Sequence, residues 1–171
     1  MTPGTSITPV VFLAFANPRN DLNKLADEHS AIRLMLDKAA REGLCEIVER
    51  FNLDIAGLIN VFQDKKYVNR IAIFHFGGHA GDFELVLDRS QVGGHSFNKF
   101  LLKYPALQLV FLNGCPTFEQ AADLLQSGIP AIISTLDSIP DNIAKKFAAR
   151  FYNGLVEGQS VASPFEQARL A

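Results

Sequence analysis

The chain has 171 residues, 48% of them hydrophobic and 20% charged, and its 16 Lys and Arg against 18 Asp and Glu leave a net charge of −2. That balance offers no cationic surplus to a phosphate backbone, so direct nucleic-acid binding is not expected. The apolar stretch Pro9–Ala16 falls far short of the roughly 20 residues that cross a bilayer, so no membrane association is expected either.

The opening residues Met1 to Ser6 lack the basic start and apolar run of a secretory leader. The two cysteines, Cys45 and Cys115, are 70 positions apart without zinc-like spacing. Free thiols suit a reducing compartment, most simply the cytoplasm. There is no internal repeat, low-complexity stretch or proline-rich linker, so residues 1–171 are expected to form one domain, excised from a larger multidomain protein or standing alone.

In chain order, Val10–Ala16 is apolar on both faces, as in a strand of a parallel sheet covered on each side. Leu25, His29, Ile32, Leu36 and Ala39 then recur at helical spacing, and Gly43 supplies a stop. Residues 44–51 alternate apolar and acidic side chains, which suits a strand near the sheet edge, and Asp54 opens a short helix. A second apolar strand, from Arg70 to Phe76, runs into Gly77-Gly78-His79-Ala80-Gly81, and a short hairpin is expected around Phe83–Leu87.

A helix follows from about Ser96 to Tyr104. The strand Leu107–Leu112 then ends in Asn113-Gly114-Cys115-Pro116, and Thr117-Phe118-Glu119-Gln120 has the spacing of a capping box. Ala131–Thr135 is a further strand, a helix is expected over residues 139–157, and another starts at Pro164. Such alternation predicts an α/β fold, with a mostly parallel sheet and helices on both faces. Ligands and chemistry then gather beyond the carboxyl ends of the strands.

Two such tips carry reactive residues. Cys115 lies between a strand end and a helix start, where unpaired N–H groups and the helix dipole favour thiolate. Position alone leaves it either a nucleophile or a buried structural thiol. His79, in the glycine-rich turn after a neighbouring strand, is either its acid–base partner or a loop histidine satisfied by a local hydrogen bond.

His75 and His79 are four apart, a spacing that aligns metal ligands on a helix but not on a strand, so no metal is expected and His75 is assigned to packing. No nucleotide-binding glycine motif and no GxSxG elbow occurs, so no cofactor is expected and serine chemistry lacks its nucleophile. His29 and His95, on a predicted helix and a turn, receive no role, and Cys45 is assigned to the core.

Taken in order, Ile71–Ala80, Leu107–Cys115 and Ala121–Thr135 resemble the CHAT domain, a caspase-like (clan CD) cysteine peptidase family related to separase. Phe12–Pro18 resembles the first strand of its bacterial members, and Ile139 to Ala162 its last helices. The resemblance implies a caspase-like three-layer sandwich and a catalytic dyad of His79 and Cys115. It further implies an oxyanion hole from the backbone N–H groups of Cys115 and Ala80, with Ala80 where glycine is common in caspase-like peptidases. Gly114-Cys115-Pro116 is unlike a caspase nucleophile loop.

Relatives that cleave after basic residues carry an acid in the first specificity pocket. Asp137, just past a strand, is the candidate for substrate binding, or else belongs to a solvated turn. The implied activity is a cysteine endopeptidase that cleaves a protein partner in bacterial defence or programmed cell death. Repeat or sensor modules of a larger protein are the other expected partners. The alternatives are a catalytically silent scaffold or sensor module and a flavodoxin-like domain that binds a small molecule.

Overall fold

The computed structural model describes residues 7–22, 24–81, 84–114, 117–135 and 140–170. Its centre is a five-stranded parallel sheet built from β1 (Val10–Ala16), β2 (Glu46–Arg50), β3 (Ile71–Gly78), β7 (Leu109–Asn113) and β8 (Ala131–Ile133), in the order β2-β1-β3-β7-β8. Every residue of β1 is buried, because the strand is paired on both edges and covered on both faces. Its alternation divides the core in two, as strand geometry requires.

Val10, Phe12 and Ala14 face one layer, with α2 (Ile55–Gln63), α3 (Gly94–Leu101) and α4 (Phe118–Gln126) supplying Leu58, Phe62, Phe97 and Leu124. Phe12 meets Phe74 and Phe62 edge-on, with centroids 5.4 and 5.8 Å away. Val11, Leu13 and Phe15 face the other layer, formed by α1 (Leu25–Arg41), α5 (Asp141–Val156) and α6 (Ala162–Ala168). The result is the three-layer α/β sandwich expected from the alternation of elements. Among the described residues no helix is long and apolar enough to cross a membrane.

Some local details depart from the sequence reading. The stretch after β3 forms a three-stranded antiparallel sheet rather than a hairpin, from β4 (Ala80–Gly81), β5 (Glu84–Leu87) and β6 (Ser90–Gly93). Asp54 caps α2 as its sequence suggests, its carboxylate accepting the Gly57 N–H at 2.7 Å. Thr117 sits at the N-cap of α4 but makes no capping bond. Its buried hydroxyl turns back to the carbonyls of Leu112 and Gly114, 3.3 and 3.4 Å away, in place of the cap bond expected of it. His95 belongs to α3 rather than to a turn.

Candidate active site

Because the central strands are parallel, their carboxyl ends share one edge of the sheet. Connections from β1 and β3 leave that edge beside each other, with Ala16 in register with Gly78. After β1, the Asn17 carboxamide folds the chain back. Its Oδ1 accepts the N–H groups of Asp21 and Leu22, both at 3.3 Å, and its Nδ2 donates to the Leu22 carbonyl at 3.4 Å. Asn20 completes the turn in the left-handed region at φ 53°, a conformation asparagine tolerates better than most residues.

This loop delivers Asp21 to His79, 58 positions later, with Oδ1 2.5 Å from Nε2. A carboxylate only accepts, so Nε2 carries the proton, leaving Nδ1 as the nitrogen able to take one up. The bond from His79 holds the Asp21 carboxyl below its usual range against a smaller opposing effect of burial, with the charge of His79 adding to the lowering. The imidazole is 22% exposed and the aspartate 51%, so the pair sits at an open surface. The His79 carbonyl is also held, accepting the Val86 N–H at 3.0 Å.

The β7 tip closes against the same place. Asn113 is in register with Gly77, which sets Gly114 beside the turn after β3. A Cβ placed on Gly114 would lie 2.8 Å from the Gly78 carbonyl oxygen, 2.9 Å from the Ala80 Cβ and 3.4 Å from the Ala80 nitrogen. Only glycine permits this approach. The residue before Cys115 therefore packs against both chain neighbours of His79.

Cys115 and Asp137 themselves lie outside the described residues, but Gly114 and Thr117, on either side of Cys115 and Pro116, are described. The Gly114 carbonyl accepts from the hydroxyls of Thr117 and Thr135. Thr117 N–H donates to the Thr135 carbonyl at 3.0 Å, and Thr135 N–H returns a bond to the Thr117 hydroxyl at 3.2 Å. Replacing Thr117 by Val is expected to lower stability by about 1–2 kcal/mol through loss of these bonds. The corresponding fall in Tm is about 2–8 °C in a thermal melt, with Thr117→Ser close to the parent.

The remaining histidines and cysteine lie elsewhere. His75 is fully buried on the opposite face of β3 from Phe74 and Phe76, between α1 and α5, as expected of a packed strand residue. His29 pairs with Glu49 at 2.5 Å and packs edge-on to Phe51. Cys45 is half-buried just before β2, at the opposite end of the parallel strands. It lines an apolar cavity of about 310 Å³ with Leu36, Ile73 and Leu155, and burial pushes its thiol pKa up.

Sequence reasoning missed Asp21 and the two threonines, because loop pairings across tens of residues leave no periodic trace. It also missed Glu28, although this residue stands in helical phase with Ile32, Leu36 and Ala39 on the buried face of α1.

A parallel five-stranded sheet between two helical layers is consistent with a caspase-like α/β sandwich. Within that class, the family model described as CHAT domain matches residues 3–171, and the chain belongs to the CHAT domain family. Its relation to caspase-like peptidases follows from that membership. No curated protein matches the chain.

Proposed function

We propose that this CHAT domain is a cysteine endopeptidase with His79 and Cys115 as its dyad. The observation that supports the reading is the close approach of Gly114, the residue before Cys115, to Gly78 and Ala80, the residues flanking His79. In the first step the Cys115 thiolate attacks the scissile carbonyl carbon. A C–S bond forms while the carbonyl π-electrons move to oxygen.

Collapse of this intermediate breaks the C–N bond, and His79 delivers the thiol-derived proton to the leaving amine. Water then attacks the thioester, His79 accepts its proton, and the carboxylic acid leaves as the thiol is restored. The N–H groups of Cys115 and Ala80 are assigned to the developing oxyanion. Ala80 is extended in β4, paired with Leu85, and is not among the residues at positive φ. Its nitrogen is on the side facing Gly114.

Asp21 fixes the His79 tautomer and ring orientation. Since the pair is exposed, Asp21→Asn is expected to reduce turnover by only about tenfold or less, as weak exposed ion pairs do. Asp21 titrates below its unfolded value, so its accepting carboxylate is fully present above the ordinary carboxylate range and is lost as pH falls through the lowered value. A pH–rate profile of Asp21→Asn should therefore approach that of the parent only in strong acid.

The substrate in this proposal is a protein partner, in bacterial defence or programmed cell death. Asp137 is the candidate for receiving a basic side chain. Sequencing the new N-termini released from a diverse peptide library tests the proposal. The expected result is one dominant cleavage specificity that vanishes in Cys115→Ala. Cleavage unchanged by that substitution would exclude Cys115 as the nucleophile, and a parent that cleaves nothing while Cys115→Ala keeps its biological function would favour the scaffold reading.

A further inference from the structure

The other face of the same sheet edge holds a buried polar cluster that the dyad does not use. Glu28, in the first turn of α1, is 5% exposed, and His75 and Tyr152 are fully buried. Glu28 Oε1 accepts from Asn113 Nδ2 at 2.7 Å and lies 3.1 Å from His75 Nε2, while the Tyr152 hydroxyl lies 3.2 Å from His75 Nδ1. One arrangement of protons satisfies the Tyr152 hydroxyl and both ring nitrogens of His75. Tyr152 donates to Nδ1, and neutral His75 donates from Nε2 to the carboxylate.

Burial first, and the Glu28 charge second, push the Tyr152 pKa well above its ordinary value, which keeps its hydroxyl protonated as donor. Burying a carboxylate is costly, and an apolar residue in phase with Ile32 and Leu36 would fill the core more cheaply.

The placement of the partners explains its use. Glu28 follows Asp21 by seven positions, His75 precedes His79 by four and Asn113 precedes Cys115 by two. One carboxylate thus joins the three segments that carry the site residues.

We infer that Glu28 is a positioning residue, which clamps the segments carrying Asp21, His79 and Cys115 together by accepting hydrogen bonds from Asn113 and His75. The inference rests on the peptidase reading. It assigns Glu28 no contact with substrate. The clamp acts by geometry: it fixes how far the β7 tip and the α1 entry stand from β3.

The test uses the whole chain and reads the alkylation rate and apparent pKa of Cys115 by peptide mapping, with Cys45 as reference and a melt to establish folding. Asn113→Ala is expected to slow Cys115 alkylation at pH 7 by about fivefold and to move its apparent pKa toward the free-thiol value of about 8.5. Glu28→Gln keeps the accepting oxygen without the charge and is expected to stay within about twofold of the parent.

Asn113→Asp sets two carboxylates together and is expected to slow alkylation about tenfold. Combining it with Glu28→Gln exchanges donor and acceptor and is expected to restore the rate to within about twofold. A folded Asn113→Ala with the parent's pKa would overturn the inference. So would Glu28→Gln acting as strongly as Asn113→Ala, or a double variant that fails to recover. If Cys115 in the parent already titrates as a free thiol indifferent to His79, the peptidase reading itself fails; an activated Cys115 insensitive to this cluster removes only the clamp.

Discussion

His79→Ala is expected to slow peptide-bond cleavage by on the order of 10²–10⁴-fold while leaving the fold intact. The imidazole has two tasks in the proposed cycle, holding the cysteine as thiolate and protonating the amine that leaves. Asp21 does not replace its Nδ1, because the carboxylate faces Nε2 and only accepts. The side chain is partly exposed, and its surroundings are held by backbone bonds from Val86, so its removal opens no core cavity. Turnover on the dominant library substrate, measured beside a thermal melt, checks the result. An undiminished rate would exclude His79 from the chemistry.

The second large effect concerns shape rather than chemistry. Gly114→Val is expected to lower stability by about 3 kcal/mol or more, because its first added carbon would stand 2.8 Å from the Gly78 carbonyl oxygen and 2.9 Å from the Ala80 Cβ. Backbone is what lies in the way, so no side-chain rotation relieves the overlap. The β7 tip must move away from the turn after β3, and Cys115 moves with it. A Tm lower by about 6–12 °C, with Cys115 alkylation reduced toward that of an unassisted thiol, is the combined signature. Gly114→Val with unchanged melting and reactivity would contradict the packing of the two tips.

The architecture was legible because its strands are covered on both faces. Val10–Ala16 reads as an unbroken apolar run, Ile71–Phe76 as one interrupted only by His75, and the α1 stripe of Ile32, Leu36 and Ala39 reads as plainly. Parallel strands then follow from helices long enough to cross over, and the tips with His79 and the Cys115 turn follow from parallel strands.

What stayed hidden was decided by contacts distant in sequence. Thr117 carries the local signature of a cap, yet Thr135, two residues past β8, draws it into a mutual pairing that also holds the Gly114 carbonyl. Asp21 looks like any loop carboxylate until Asn17 folds it onto His79. Glu28 is an acidic residue in an apolar phase, which marks it as buried but leaves its partners to the tertiary structure. The small β4–β6 sheet has too little apolar alternation to separate it from a hairpin.

The most direct measurement is the pH dependence of iodoacetamide alkylation at Cys115, in the parent and in His79→Ala. Cys45 provides an internal contrast, because burial raises its pKa and makes it slow near neutrality. The account predicts an apparent Cys115 pKa well below the free value of about 8.5, returning toward it in His79→Ala. Thiolate nucleophilicity falls with its pKa, so the shift in the profile is the informative quantity and the change in rate is smaller. A Cys115 that titrates near the free value in both proteins, or that is as inert as Cys45, would contradict a working dyad.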